Sequence, residues 1–139
     1  MNLLVDTSVW SLALRRSSHH LNPSEKAHVA ELAELINEGR ARMIGLVRQE
    51  LLSGIKSHGQ FSKLLKTLRA FPDEPLSTDD YETAAALGNL CRSRGLAVST
   101  VDMLICSVAQ SRKWAVFSVD PDFRRYTAAL DISLHSPRK

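Results

Sequence analysis

A chain of 139 residues with 44% apolar and 24% charged residues is long enough to bury a core and too apolar for disorder, so one domain over 1–139 is expected. Eighteen Lys and Arg against fifteen Asp and Glu leave a net charge of +3, which suits a nucleic-acid or acidic-protein partner without demanding one. Two cysteines without C-x-x-C spacing and five histidines without metal-ligand spacing argue against a disulfide framework and a zinc site. With no basic leader and no apolar run of spanning length, a cytoplasmic protein is expected.

Asn2–Val5 reads as a buried strand, and Asp6-Thr7-Ser8 offers caps to a helix through Val9–Leu14. Asn22-Pro23-Ser24-Glu25 combines an N-cap, proline at the first helical position and an acid three residues after the cap. Val29, Leu32, Ala33 and Ile36 follow at helical spacing up to a stop at Gly39. Ala41–Gly45 predicts a brief strand, Leu46–Ile55 a short helix, and Phe61, Leu64, Leu65 and Leu68 another. Pro72 and Pro75 bracket a break, with a short edge strand expected near Leu76. Ser77-Thr78-Asp79-Asp80 opens a helix ending at Gly95, with Asp79, Asp80 and Glu82 read as exposed acids matched to its dipole. A helix over Val101–Arg112 and a strand over Ala115–Val119 come next. Asp120-Pro121-Asp122 opens a small helix, and a strand over Ile132–His135 precedes a loose Ser136–Lys139 tail. Strands alternating with helices predict an α/β fold with a parallel sheet covered on both faces. Sites in such sheets lie outside the carboxyl ends of the strands.

Four acids stand beside apolar segments rather than in polar ones: Asp6, Glu50, Asp102 and Asp120. Acids are seldom set against a core unless something pairs with them. Each also has a purely structural reading. Asp6 and Asp120 suit N-caps, the second with Pro121 following, and Ser99-x-x-Asp102 fits a capping box. Glu50 has no Lys or Arg three or four residues away and lies at the edge of an apolar stripe. Asp122 is a first-turn acid or a supplementary ligand. If the set converges, the natural partner is a divalent cation that prefers oxygen.

Asp6-Thr7-Ser8 after the first strand, Glu50 in a mid-chain helix, Asp102 in Val-Asp-x-x-Ile-Cys-x-x-Ala and Asp120 in Ser-Val-Asp-Pro-Asp-Phe together resemble the PIN domain. Within it the chain is similar to the VapC toxins of bacterial toxin–antitoxin pairs. The resemblance covers nearly the whole chain. It implies a three-layer α/β/α fold around a central parallel sheet, and an Mg²⁺- or Mn²⁺-dependent endoribonuclease. It also implies a homodimer and a VapB-type antitoxin. Asp6, Glu50, Asp102 and Asp120 match the family's acidic quartet, with Asp122 as an additional metal-binding acid. Ser118 stands where the family usually has Thr.

Clustered carboxylates repel and raise one another's pKa, which a divalent cation relieves. A cation so held supplies a metal-activated water for phosphodiester hydrolysis. Thr7, Ser8 and Ser118 are read either as orienting the acids or as helix caps. Arg15, Arg16, Arg92, Arg94, Arg124 and Arg125 are candidates for gripping RNA phosphates. Trp10, Trp114, Phe123 and Tyr126 are assigned to core packing. The Trp10–Leu14 and Leu32–Ile36 segments are candidate apolar surfaces for an antitoxin or a second subunit, or else core. The alternatives are a PIN-like module that binds RNA or protein without cutting, and a phosphoacceptor signalling domain. The second lacks an adjacent acid after Asp6 and a Lys between Lys113 and Lys139.

Overall fold

The computed structural model describes residues 1–139 apart from the side chain of Ser18. Strand β1 (Leu3–Val5) leads into α1 (Thr7–Leu14), a 3-10 turn (Ser18–His20) and α2 (Pro23–Asn37). Strand β2 (Ala41–Arg42), α3 (Gly45–Leu52), α4 (His58–Leu68), α5 (Thr78–Ser93) and α6 (Thr100–Arg112) follow. Strand β3 (Ala115–Phe117) and α7 (Asp122–Tyr126) complete the order. The sheet runs β2-β1-β3 with both pairings parallel.

Successive side chains of a strand point to opposite faces, so three consecutive buried residues mean that both faces are covered. Leu3, Leu4 and Val5 are all buried, as are Ala115, Val116 and Phe117. The α/β expectation therefore holds: a three-stranded parallel sheet flanked by helices. Register does the positioning. Val5 pairs with Phe117, and the Asp6 amide donates to the Phe117 carbonyl at 2.9 Å. Asp6 and Ser118 thus leave adjacent strands side by side at the carboxyl edge.

The capping signals are realised at α2, where Asn22 and Glu25 form a reciprocal box and Pro23 opens the helix. Past its end, Gly39 adopts φ +69°, in the left-handed region that favours glycine. Both cysteines are buried and unpaired, and burial pushes the Cys106 thiol up to about 12, which keeps it protonated and unreactive.

Several expectations are corrected. No strand forms at Leu76. The edge pairing is instead a single bridge between Met43 and Asp73, with the Glu74 amide donating to Met43. The final strand shrinks to a bridge between Val116 and Leu134. Strand β3 stops at Phe117, because the Val119 and Asp120 amides turn to the Ser8 and Ser118 hydroxyls. Trp10, Leu12 and Leu32 are buried and belong to the core rather than to a docking face. The tail is not loose. Arg138 bonds the buried Glu31 at 2.6 Å and Glu38 at 2.9 Å, and His135 Nε2 meets Glu31 at 2.5 Å.

Asp80 is also not the exposed acid expected. It completes a capping box with Ser77 and lies buried, 5% exposed, where the two terminal nitrogens of the Arg112 guanidinium donate to it at 2.6 and 3.0 Å. The pair clamps α5 to α6, the helix that begins beside Asp102. Hydrogen bonds from Arg112 hold the Asp80 carboxyl at about 2. A lowered folded-state pKa stabilises fully above the unfolded value of about 4 and is lost as pH falls through the folded one. Asp80→Asn is expected to lower unfolding free energy by about 2 kcal/mol at neutral pH in urea denaturation. The difference from the unsubstituted protein should shrink between about pH 4 and about 2.

Candidate metal centre

Asp6 begins the site as the N-cap of α1, with its Oδ2 accepting from the Ser8 amide at 3.3 Å. The same oxygen accepts from the Ser8 and Ser118 hydroxyls, each at 2.7 Å. With both hydroxyl protons spent on Asp6, the serine oxygens are free to accept from the Val119 and Asp120 amides at 3.1 and 2.9 Å. The β1–α1 turn and the segment after β3 are thus sewn together around one carboxylate. Its Oδ1 has no partner among the described residues and is not sealed from solvent.

Asp102 stands in the first turn of α6. Ser99 caps that helix by accepting the Asp102 amide at 3.0 Å. The reciprocal half of the capping box, complete at α2 and α5, is not made here among the described residues. The Asp102 carboxylate accepts the Tyr126 hydroxyl on Oδ2 at 2.6 Å. Asp120 accepts the Asp122 amide on Oδ1 at 2.9 Å, but the N-cap position of α7 falls to Pro121 rather than to Asp120. Asp122 is held through Oδ1 by Arg125 at 2.6 Å.

A common pattern runs through the four aspartates. Each commits one oxygen to a protein donor and leaves the other without a partner among the described residues. One carboxylate oxygen from each of Asp102, Asp120 and Asp122 lies within 4.8 Å of the others. Burial holds the Asp102 carboxyl above its usual range, and the Asp6 and Asp120 charges push it further the same way. An all-oxygen, half-buried, mutually repelling set is what a hard divalent cation fits.

Glu50 stands apart. It is exposed on α3, outside the three-carboxylate group, and among the described residues it is hydrogen-bonded to Thr7, whose hydroxyl donates to it at 2.6 Å. Asp122, read from sequence as a first-turn acid or a supplementary ligand, is brought in. Tyr126 was assigned to packing alone. It does pack, 1% exposed and edge-on to Phe123, but its hydroxyl also fixes Asp102. Burial and the Asp102 charge push its phenol well above the usual range, so it stays a donor. A buried tyrosine needs a partner for its hydroxyl, yet no spacing rule links positions 102 and 126.

The family model described as PIN domain matches residues 3–129. This chain belongs to the PIN-domain family. No curated protein sequence matches it. Among solved structures, this PIN domain is similar to FitAcB from Neisseria gonorrhoeae, at TM-score 0.75 and 21% identity over 97% of each chain. It is similar to VapBC2 from Rickettsia felis bound to a promoter DNA fragment, at TM-score 0.71 and 18% identity over 97% of this chain and 98% of that one. It is also similar to VapBC-5 from Mycobacterium tuberculosis, described as a member of a family of toxin–antitoxin systems, at TM-score 0.66 and 19% identity over 97% and 100%. At these identities the likeness speaks for the PIN fold. Among the described residues of this PIN domain, no helix is long and apolar enough to cross a membrane.

Two substitutions test the centre. A carboxyl whose folded pKa is raised destabilises the fold above that pKa and not below the unfolded one. Asp102→Asn keeps an acceptor for Tyr126 and removes the charge. It should raise the melting temperature of cation-free protein by about 3 °C at neutral pH while abolishing the further rise that Mn²⁺ produces. Tyr126→Phe frees the Asp102 carboxylate to turn, and calorimetry should show Mn²⁺ bound about tenfold more weakly.

Proposed function

We propose that the chain is a metal-dependent endoribonuclease acting as the toxin of a type II toxin–antitoxin system. The observation that carries this reading is the convergence of Asp102, Asp120 and Asp122 on the carboxyl edge where Asp6 caps α1. The three aspartates would hold an Mg²⁺ or Mn²⁺ ion, with Asp6 presenting its bare oxygen beside them and Glu50 contributing through Thr7 or an intervening water. When bound, the cation supplies Lewis-acid activation of a water and charge neutralisation at phosphorus.

The chain's own residues set the geometry. Ser8 and Ser118 fix Asp6, Tyr126 fixes Asp102, the Asp122 amide fixes Asp120, and Arg125 fixes Asp122. Such second-layer hydrogen bonds orient ligands before substrate arrives. No protein nucleophile is needed, so attack by water leaves 5′-phosphate and 3′-hydroxyl ends. A homodimer and a VapB-type antitoxin that covers the acidic site belong to the same reading, as does a single domain over 1–139. The toxin–antitoxin description of a similar fold supports the antitoxin partner.

One observation favours the non-cutting alternative: Asp122 is already paired with an arginine. That pair is exposed on both sides, contributes little to stability and occupies only Oδ1 of Asp122, which leaves the other oxygen for a cation. The decisive experiment incubates antitoxin-free protein with labelled structured RNA in Mn²⁺ or Mg²⁺, with EDTA and Asp102→Asn controls. Cleavage should require metal, fall by more than about a hundredfold in the folded variant, and yield 5′-phosphate ends. Products with 2′,3′-cyclic phosphate would overturn the water mechanism. Salt-sensitive RNA binding without cleavage would point to the non-catalytic module.

A further inference from the structure

Beside the acidic centre lies a polar cleft of about 400 Å³ between the start of α2 and the segment after β3. Ser118 and Asp120 form its shared wall with the centre, and Asn22, His28, His135 and Arg124 line the rest. Its volume falls within the range that holds a ligand of nucleotide size.

The two adjacent arginines of α7 have different fates. Arg125 is tied to Asp122 at 2.6 Å, whereas Arg124 is exposed, lines the cleft and has no ion-pair partner among the described residues. Glu25, the other acid of the cleft besides Asp120, is bound by Arg16 at 3.0 Å. With Asp120 engaged by a cation, the unspent charge of the cleft is the Arg124 guanidinium.

The walls are held still. The His28 ring stacks on Phe117 at 5.6 Å and 16°, and the His135 ring meets Phe117 edge-on at 5.3 Å. His28 Nδ1 bonds the Ser24 carbonyl at 2.8 Å. A carbonyl can only accept, so Nδ1 carries the proton and Nε2 is a bare acceptor in the neutral ring. Glu31 holds His135. A phosphate-sized cation grip, a fixed acceptor and rigid aromatic walls adjoining a phosphodiester-cutting centre describe a nucleotide subsite.

We infer that this cleft binds the RNA nucleotide next to the scissile phosphate, with Arg124 gripping its phosphate and His28 Nε2 accepting a hydrogen bond from its sugar or base. The inference rests on the nuclease reading and deepens it.

The test measures fluorescence anisotropy of a labelled single-stranded RNA, with Ca²⁺ in place of Mg²⁺, from about 50 to about 200 mM salt. Arg124→Ala should bind about tenfold more weakly, with a log–log salt slope shallower by about 0.7, the share of one phosphate contact. Arg124→Lys should restore the slope, and His28→Ala should weaken binding at unchanged slope. Lys66→Ala, on exposed α4 surface away from the cleft, serves as the control and should match the unsubstituted protein. Unchanged affinity and slope in both Arg124→Ala and His28→Ala, with metal-dependent cleavage intact in the unsubstituted protein, would overturn the subsite alone and leave a protein segment as the cleft's occupant. Absence of both RNA binding and cleavage in the unsubstituted protein would overturn the nuclease reading and the subsite with it.

Discussion

Parallel pairing of β1 with β3, in the register that sets Val5 opposite Phe117, is the constraint on which the rest of the molecule depends. It delivers Asp6 and Ser118 to the same edge, where a single carboxylate oxygen gathers two hydroxyl donors and a backbone amide. A slip of one residue would turn every side chain of the short strand to the opposite face. The apolar burial of Leu3, Leu4 and Val5 therefore protects the acidic site as much as it protects the core.

Around that edge the fold gathers negative charge that, among the described residues, it pairs with a cation only at Asp122, through the exposed Arg125. The contrast among its capped helices makes this plain. At α2 and α5 the acid three residues after the cap returns to the helix end, satisfying free amides as elementary capping physics expects. At α6 the acid in the same position, Asp102, is drawn off by Tyr126 and left half-buried among Asp6 and Asp120, which raises its pKa. The result is a half-buried carboxylate repelled by its neighbours, the kind of repulsion that a divalent cation would relieve.

Ion pairs elsewhere serve to hold the frame. Arg112 clamps α5 to α6 through Asp80. Arg48 of α3 ties that helix to Asp73 and to the Leu68 carbonyl. Arg138 and His135 close the chain terminus onto the buried Glu31. Each of these acids has its cation close at hand, whereas Asp6, Asp102 and Asp120 have no ion-pair partner among the described residues and Asp122 has only the exposed Arg125. The difference separates structural carboxylates from candidate ligands better than burial does, because Asp80 and Glu31 are as buried as Asp6.

Much of this was legible in the order of residues. Local signals placed the helices, since caps, prolines and 3.6-residue periodicity act over a few positions, and apolar runs ending in Asp6 and before Asp120 located the sheet's carboxyl edge. Of the acids singled out by sequence, Asp102, Asp120 and Asp122 come together in the fold. What the sequence could not reach were partnerships between distant positions: Tyr126 with Asp102, Arg112 with Asp80, Arg138 with Glu31. The same gap explains why Asp80 read as a surface acid and the last four residues as a loose tail. Glu50 shows the converse, an acid prominent in sequence that the fold leaves exposed and one hydrogen bond removed from the others. Residue type and spacing determine which chemistry is available and where each helix begins. Which oxygen meets which donor is decided by long-range packing, because a hydrogen bond between residues 24 or 112 positions apart has no periodicity for a sequence to display.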